Sequence, residues 1–315
     1  EVGEVMTMDD VIAGRALCAV QHQRAEEMLR SLPDGCVNLH WIDPPYFRVV
    51  DEEWDRAWKS EADFLAWLAG IVAEAARTLA PNGSLYLFAS PQMGGRVEGI
   101  VRGSLDVLNH IVWVKRQGWH AKAEEEAQRV YFPQTERVIF AGPRGAFGGS
   151  VLGDNIRAAR EAAMLTQDQL DVAIGRTRAA DPTKGSGLTR LQERGERTPN
   201  ADDFAAVLRA CGDPRPDAEL RAEYLRLLRP FAADAVAFKT DVWEYGTVTP
   251  SPTKHPCEKP LPMLRDVVRA SSRAGDLVCE AFGGSFRMAE VALGEGRRYV
   301  GCDADAHWAQ VGEER

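Results

Sequence analysis

The sequence predicts an α/β fold with a mixed, mostly parallel sheet, interrupted by an all-helical insert. Three observations predict it. Strand-like and helix-like runs alternate from residue 25 to Gly142, the pattern between Asn155 and about Arg229 is helical throughout and rich in Arg and Ala, and alternation resumes at about Pro230. Alternating strands and helices are the mark of a doubly wound, largely parallel sheet. The boundaries implied are 1–150 and 230–315 for the two α/β parts and 151–229 for the insert.

The elements follow in order. AEEMLRSL (25–32) has helical apolar spacing and stops at the turn signal Pro33-Asp34-Gly35. CVNLHWI (36–42) is a β-rich run ending at Asp43-Pro44-Pro45-Tyr46, where two prolines block both a ladder and an immediate helix. DFLAWLAGIVAEAARTLA (63–80) is a long amphipathic helix closed by Pro81-Asn82-Gly83, and SLYLFAS (84–90) is a buried strand. VLNHIVWVK (107–115) and RVIFAG (137–142) supply two more strands before a glycine-rich linker, Gly145–Gly153. In the insert, IRAAREAAML is a short helix and Thr166 caps TQDQLDVAI through a Thr-x-x-Gln capping box. A polar stretch (Gly175–Gly187) precedes LTRLQERGERTP, ADDFAAVLRACG and AELRAEYLRLL, all helical. LPMLRDVVRASS (261–272) is then a helix, DLVCEAF (276–282) a buried strand, RMAEVALGEG (287–296) a helix and RRYVGCD (297–303) a strand.

Composition bounds the function classes. The 315 residues are 45% hydrophobic and 8% aromatic, enough for a packed core and against a mainly disordered chain. No apolar run reaches the roughly 18–20 residues of a membrane span, and the acidic start EVGEVMTMDD is unlike a signal or transit peptide. The net charge of −9, taken as a mean, argues against nucleic acid, but it is local. Residues 1–63 carry 14 acids against 6 bases, whereas residues 176–198 carry six bases against Asp181, Glu193 and Glu196. Binding follows the local field, so the insert is the place for a polyanion. Cys18, Cys36, Cys211, Cys257, Cys279 and Cys302 are scattered, with no CxxC pair and no His at metal-ligand spacing. The expectation is a reduced, cytoplasmic protein without a metal site.

Two sites carry chemistry. DLVCEAFGGSFRMAEVALGEGRRYVGCD is a strand, a glycine turn, a helix and a strand ending in Asp303, 23 positions after Glu280. In a βαβ unit that spacing sets the acid beside a nucleoside ribose while Gly283-Gly284 let the backbone approach the rest of a cofactor. An ordinary βαβ unit with a glycine turn reads the same way. Asp43-Pro44-Pro45-Tyr46-Phe47 sits at a strand's C-terminal end, where open α/β sheets place ligand sites. A carboxylate in a proline-stiffened loop beside an aromatic ring suits a planar amine, and alone it is also compatible with a rigid turn.

Together, WIDPPYF, the AFGGS turn and KHPCEKP (254–260) resemble the amino-methylating, S-adenosylmethionine-dependent DNA methyltransferases. LPDGCVNLHWIDPPY (32–46) and RTLAPNGSLYLF (77–88) extend the match over both α/β segments. The tetrapeptide half precedes the cofactor half, as in that family's β group, and HPCEKP is similar to its HPxxKP element. The resemblance implies a Rossmann-like class I methyltransferase fold. It implies that a flipped base is held by Asp43 and the Pro44 backbone in a loop stiffened by Pro45, stacks on Tyr46, and attacks the sulfonium methyl directly. Phe47 is then a second wall of the base pocket or a core residue. Glu280 and the turn Phe282-Gly283-Gly284-Ser285 would cradle the cofactor, Asp303 its ribose, and His255 and Lys259 would line its side. Asp at the first tetrapeptide position favours adenine-N6 over cytosine-N4. Phe286 departs from the family's glycine and Glu280-Ala281 from its Asp-Pro. A bulky Phe286 would narrow the methionine pocket, which motivates an alternative: a DNA-binding regulator with a degenerate methyltransferase fold.

NIRAAREAAMLTQDQLDVAIG with LTRLQERGERTP resembles the lambda-repressor-like helix-turn-helix, with a longer turn over Arg176–Gly187. It lies where β-group enzymes carry their target-recognition region. By that resemblance Arg176, Arg178, Lys184, Arg190 and Arg194 would contact phosphates and base edges of duplex DNA. A small helical subdomain packed on the enzyme is the plainer reading. The family also leads one to look for a homodimer and for a cognate restriction enzyme, and not for a membrane partner.

Overall fold

The computed structural model describes residues 7–47, 57–115, 131, 134–145, 151–248, 255 and 257–315. By packing, the chain divides into two units, Glu1–Gly142 with Pro230–Arg315, and Pro143–Arg229.

The first unit opens with α1 (Met8–Ile12), capped by a Thr7–Asp10 capping box, and the strand β1 (Cys18–His22). After α2 (Ala25–Ser31) comes β2 (Val37–Ile42), buried on both faces as a central strand must be. Then α3 (Glu61–Thr78) starts at Ser60, which exchanges hydrogen bonds with Asp63, and buries Phe64, Leu68, Ile71, Val72 and Ala75 on one stripe. β3 (Leu79–Ala89), α4 (Gly94–Ser104), β4 (Asp106–Val114) and β5 (Thr135–Gly142) complete the N-terminal part.

The second unit holds α5 (Val151–Ala162), α6 (Gln167–Ala173), α7 (Leu188–Glu193), α8 (Ala201–Ala210) and α9 (Asp217–Leu227). They close around Leu152, Ile156, Leu170, Phe204, Leu208 and Leu220. Between α6 and α7 lies a two-stranded antiparallel ribbon, β6 (Thr177–Arg178) and β7 (Asp181–Gly185). Thr166 and Gln169 form the capping box of α6. The N-terminus of α7 is held from α6: the Asp171 carboxylate accepts from the Gly187, Leu188 and Thr189 amides at 2.6–3.0 Å and from the Thr189 hydroxyl at 2.6 Å.

The chain then returns to the first unit with β8 (Val242–Trp243), α10 (Leu261–Ser271), β9 (Leu277–Glu280), α11 (Arg287–Gly294), β10 (Arg298–Asp303) and α12 (Ala306–Glu314). The sheet order is β1-β10-β9-β2-β3-β5-β4-β8. β5 runs antiparallel to both its neighbours and every other pairing is parallel, which is the mixed, mostly parallel sheet expected. One face is covered by a core that includes Leu29, Ile42, Leu68 and Val97, the other by one that includes Trp41, Val267, Phe286 and Tyr299.

Several local expectations change. Pro81-Asn82-Gly83 does not end a helix but lies inside β3, where the β2–β3 register shifts. A Cβ at Gly83 would lie 2.6 Å from the Leu79 side chain, so the irregularity needs glycine. Most of the stretch read as a glycine linker lies outside the described residues, as do Lys254 and Pro256, and residues 151–153 already belong to α5. The polar stretch after α6 is a ribbon rather than a loop. Five further elements, α1, β1, α4, β8 and α12, have no counterpart in the sequence pattern. In α4 four glycines lower helix propensity, and tertiary burial of Val97 and Val101 overrides them.

Candidate active site

Strand pairing brings the two sequence motifs together. β9 pairs with β2 in parallel, Trp41 opposite Glu280, so Asp43 and the glycine turn leave the same edge of the sheet side by side. β10 pairs with β9, Gly301 opposite Glu280, and delivers Asp303 to that edge. The antiparallel β5 adds what no motif announced. Its beginning, not its end, reaches this edge, with Trp113 of β4 opposite Glu136. Glu136 and the neighbouring Lys115 therefore join Asp43.

The resulting charge cluster is tight. Lys259 Nζ lies 2.5 Å from Asp43 Oδ2 and 3.6 Å from Glu136 Oε2. Lys115 pairs with Glu136 Oε1. The Tyr46 hydroxyl is 3.1 Å from both Asp43 Oδ1 and Glu136 Oε2, and its single proton serves one at a time. The Lys259 ammonium rests 4.7 Å from the Phe88 ring centroid. Burial works against the Lys259 charge, yet Asp43 and Glu136 hold its pKa above the ordinary ammonium value. Burial and the Glu136 charge raise the Asp43 carboxyl above the usual range, against the pull of Lys259. Glu136 is lowered, because two lysines outweigh its burial.

Lys259, expected on the cofactor side, thus places its ammonium on Asp43. Pro44, Pro45, Tyr46 and Phe47 line a small cleft with Phe88 and Ser90, whose buried hydroxyl has no partner among the described residues. Phe47 also packs on Phe64, 5.9 Å between centroids, so both readings of it, pocket wall and core, meet in one position.

The glycine turn is closed by Asp303, whose Oδ2 accepts from the Gly284 amide at 2.8 Å while Oδ1 accepts from the Asp305 amide at 2.9 Å. Gly284 has φ +48°, and a Cβ there would meet the His255 ring at 3.2 Å. His255 in turn sits edge-on to Trp308 at 4.9 Å, and burial lowers its pKa. Phe282 lies at the edge of the first core, and Ser285 is buried, its carbonyl accepting from Arg315 at 2.6 Å. Glu280 accepts a 2.5 Å hydrogen bond from the Tyr299 hydroxyl, which reaches it across Gly301, where a Cβ would collide with the phenol. Burial, with Asp43 and Asp303 nearby, pushes the Glu280 carboxyl well above its usual range. Phe286 does not face this space. Its ring is fully enclosed between Gly283 and Gly312, with a backbone φ of +53°, and belongs to the second core.

Cys257 is the thiol nearest the cluster, and burial raises its pKa to about 11, which leaves almost no thiolate nucleophile at neutral pH. Among the described residues no group of His, Cys, Asp and Glu is arranged to hold a metal ion, and no helix is long and apolar enough to cross a membrane.

In the helical unit, Arg176, Arg178, Lys184, Arg190 and Arg194 are all exposed. Arg176 pairs with Asp203 at 2.6 Å, Lys184 with Asp181 at 3.6 Å and Arg194 with Glu196 at 3.7 Å. Arg178 donates to the Gly185 carbonyl across the ribbon. Exposed pairs of this kind are worth about 0–1 kcal/mol, so a phosphate can displace the acid at little cost.

A sheet with helices on both faces, a glycine turn and an acidic tetrapeptide loop at one edge define a methyltransferase-type α/β enzyme. Residues 37–314 match the DNA methylase family of N6/N4 type, and the chain belongs to it. DNA adenine methyltransferase YhdJ of Escherichia coli (strain K12) is 22% identical over 306 residues, spanning 96% of this chain and 83% of that protein. Type II methyltransferase M1.MboII of Moraxella bovis is 25% identical over 283 residues, 90% of each. Among solved structures, PvuII DNA methyltransferase (cytosine-N4-specific) superposes with a TM-score of 0.58 at 11% identity, over 95% of this chain and 86% of that one. The DNA modification methylase TTHA0409 of Thermus thermophilus, complexed with S-adenosyl-L-methionine, gives 0.52 at 17% identity over 95% and 94%. At these identities the structures establish the fold.

Proposed function

We propose that the protein is an S-adenosylmethionine-dependent DNA adenine-N6 methyltransferase whose helical unit, 143–229, reads the target site. The observation that carries it is Asp43: a buried carboxylate in a double-proline loop, beside a tyrosine, at the sheet edge shared with the glycine turn. The residues fit the cofactor. Asp303 suits the two ribose hydroxyls, the Gly283-Gly284 turn admits a close approach, and Asp43, Glu280 and Asp303 gather negative potential suited to a sulfonium and an ammonium. When bound there, the cofactor supplies an electrophilic methyl group. Asp43 accepts a hydrogen bond from the exocyclic amine and, with the Pro44 carbonyl, orients its lone pair. Tyr46 and the walls of the cleft keep the base in place and exclude water. The amine proton is lost once its nitrogen has bonded to carbon, and Asp43, with its raised pKa, is placed to take it.

In the helical unit, the exposed bases on α7 and the ribbon are the candidate phosphate and base-edge contacts. The acids of residues 1–63 lie in the other unit, so the overall charge of −9 does not oppose binding there.

Single-molecule sequencing of DNA from cells expressing the protein tests the reading by reporting base, position and recognition sequence together. N6-methyladenine is expected; N4-methylcytosine alone would replace adenine with cytosine as the target. Asp43→Ala should abolish methyl transfer while calorimetry finds cofactor binding nearly intact. Loss of cofactor binding instead would mean that the roles of the two sites are misassigned.

A further inference from the structure

Both oxygens of Asp43 are already engaged, Oδ2 by Lys259 and Oδ1 by Tyr46. A target amine needs one of them. Beside both donors stands a second acceptor, Glu136 Oε2, 3.1 Å from the Tyr46 hydroxyl and 3.6 Å from Lys259 Nζ. We infer that Glu136 is a positioning residue that draws Lys259 and the Tyr46 proton away from Asp43 as the target amine arrives, leaving that carboxylate free to receive it. The inference rests on the reading of Asp43 as the amine acceptor.

The geometry makes this exchange short and balanced. Lys259 needs to close only the gap between 3.6 Å and a contact distance, along a path flanked by the Phe88 and Trp113 rings, 4.7 and 5.9 Å from its nitrogen. The cluster holds two carboxylates, Asp43 and Glu136, and two ammonium groups, Lys259 and Lys115, so moving Lys259 between partners leaves its net charge unchanged. Without Glu136, freeing Asp43 would strand a buried ammonium, and the cost of an unpaired buried charge would keep Lys259 where it is. Lys115 holds the far oxygen of Glu136 and fixes the carboxylate at the start of β5.

The groups acting on Asp43 come from every neighbouring element. They are Tyr46 on its own loop, Glu136 on β5, Lys115 after β4, Glu280 on β9, Asp303 on β10, and His255, Cys257 and Lys259 before α10. Removing the Glu136 charge lowers the Asp43 pKa, and removing Lys115 leaves Glu136 more negative and raises it. Activity needs Asp43 unprotonated, so the acid limb of the rate profile should move down in Glu136→Gln and up in Lys115→Met.

The experiment is single-turnover methylation of a duplex across pH 4–9, with calorimetric cofactor binding and Asp43→Asn as a control. Glu136→Gln should slow transfer by about tenfold or more with its acid limb at lower pH, and Lys115→Met should shift the limb the other way. A wild-type rate in Glu136→Gln, or a slow rate with an unmoved limb, would overturn the inference, the latter leaving Glu136 a structural group. If Glu136→Gln does not fold, Lys115→Met decides alone: an unmoved or lowered limb refutes the exchange. Wild-type transfer in Asp43→Asn would instead defeat the assignment of Asp43, whatever Glu136 does.

Discussion

Phe286→Gly separates a supporting ring from an obstructing one. In the structure the phenyl group is fully buried, and Cβ atoms at Gly283 and Gly312 would lie 2.3 and 2.5 Å from it. It is thus a wedge between the cofactor turn and α12, fitted to two missing side chains. Removing a buried aromatic ring costs about 3–5 kcal/mol. The backbone at 286 sits in the left-handed region, φ +53°, ψ +31°, and glycine there relieves about 1–2 kcal/mol. The net loss should be about 2–3 kcal/mol, or roughly 5–10 °C in melting temperature for a unit of this size. Because the turn Gly283-Gly284-Ser285 loses its floor, calorimetry should find weaker S-adenosylmethionine binding. Unchanged stability with tighter cofactor binding would refute this reasoning, since that is what a ring narrowing the methionine pocket would give.

Other outcomes can be checked in the same way. His40 is fully buried on β2; Thr78 Oγ1 donates to the Glu74 carbonyl and so accepts from His40 Nε2–H at 2.9 Å, while Nδ1 has no partner among the described residues. Burial lowers its pKa to about 3 from 6.5, so the unfolded chain takes up a proton that the folded one refuses; stability is full above 6.5 and falls as pH drops towards 3. Between pH 7 and 5 this residue should account for about 2 kcal/mol of lost stability in urea titrations, and His40→Gln should lack that share. Asp171→Ala strands three amides at the start of α7, at a cost of about 2–4 kcal/mol. Hydrogen exchange at residues 187–189 should accelerate and duplex affinity should fall, with cofactor binding unmoved; persistent protection of these amides would show that α7 is held by something else.

Long, strongly patterned segments were readable without coordinates. The stripe of α3, the continuous apolar runs of β2, β3 and β9, and the Thr166 capping box each follow from periodicities that local sterics and burial impose. Elements whose stability comes from packing were not. α4 is glycine-rich, β8 is two residues long, and the ribbon of β6 and β7 is polar, so none carries a periodic signal. Pro81-Asn82-Gly83 has turn chemistry, but pairing of Leu79 with Val37 captures it into a strand.

The sequence by itself determined the kind of enzyme, because motif spacing fixes chemistry locally: Asp43-Pro44-Pro45-Tyr46 must leave a strand as a rigid loop, and Gly283-Gly284 must turn close to whatever lies above them. Only the tertiary structure decided what surrounds those groups. Glu136 escaped notice because a strand's first residues reach the active edge only when that strand is antiparallel, and strand direction is a property of the whole sheet. The same holds for Lys259, whose ammonium goes to the carboxylates that sheet order assembles, and for Phe286, which two distant glycines turn from an apparent obstruction into a buried support.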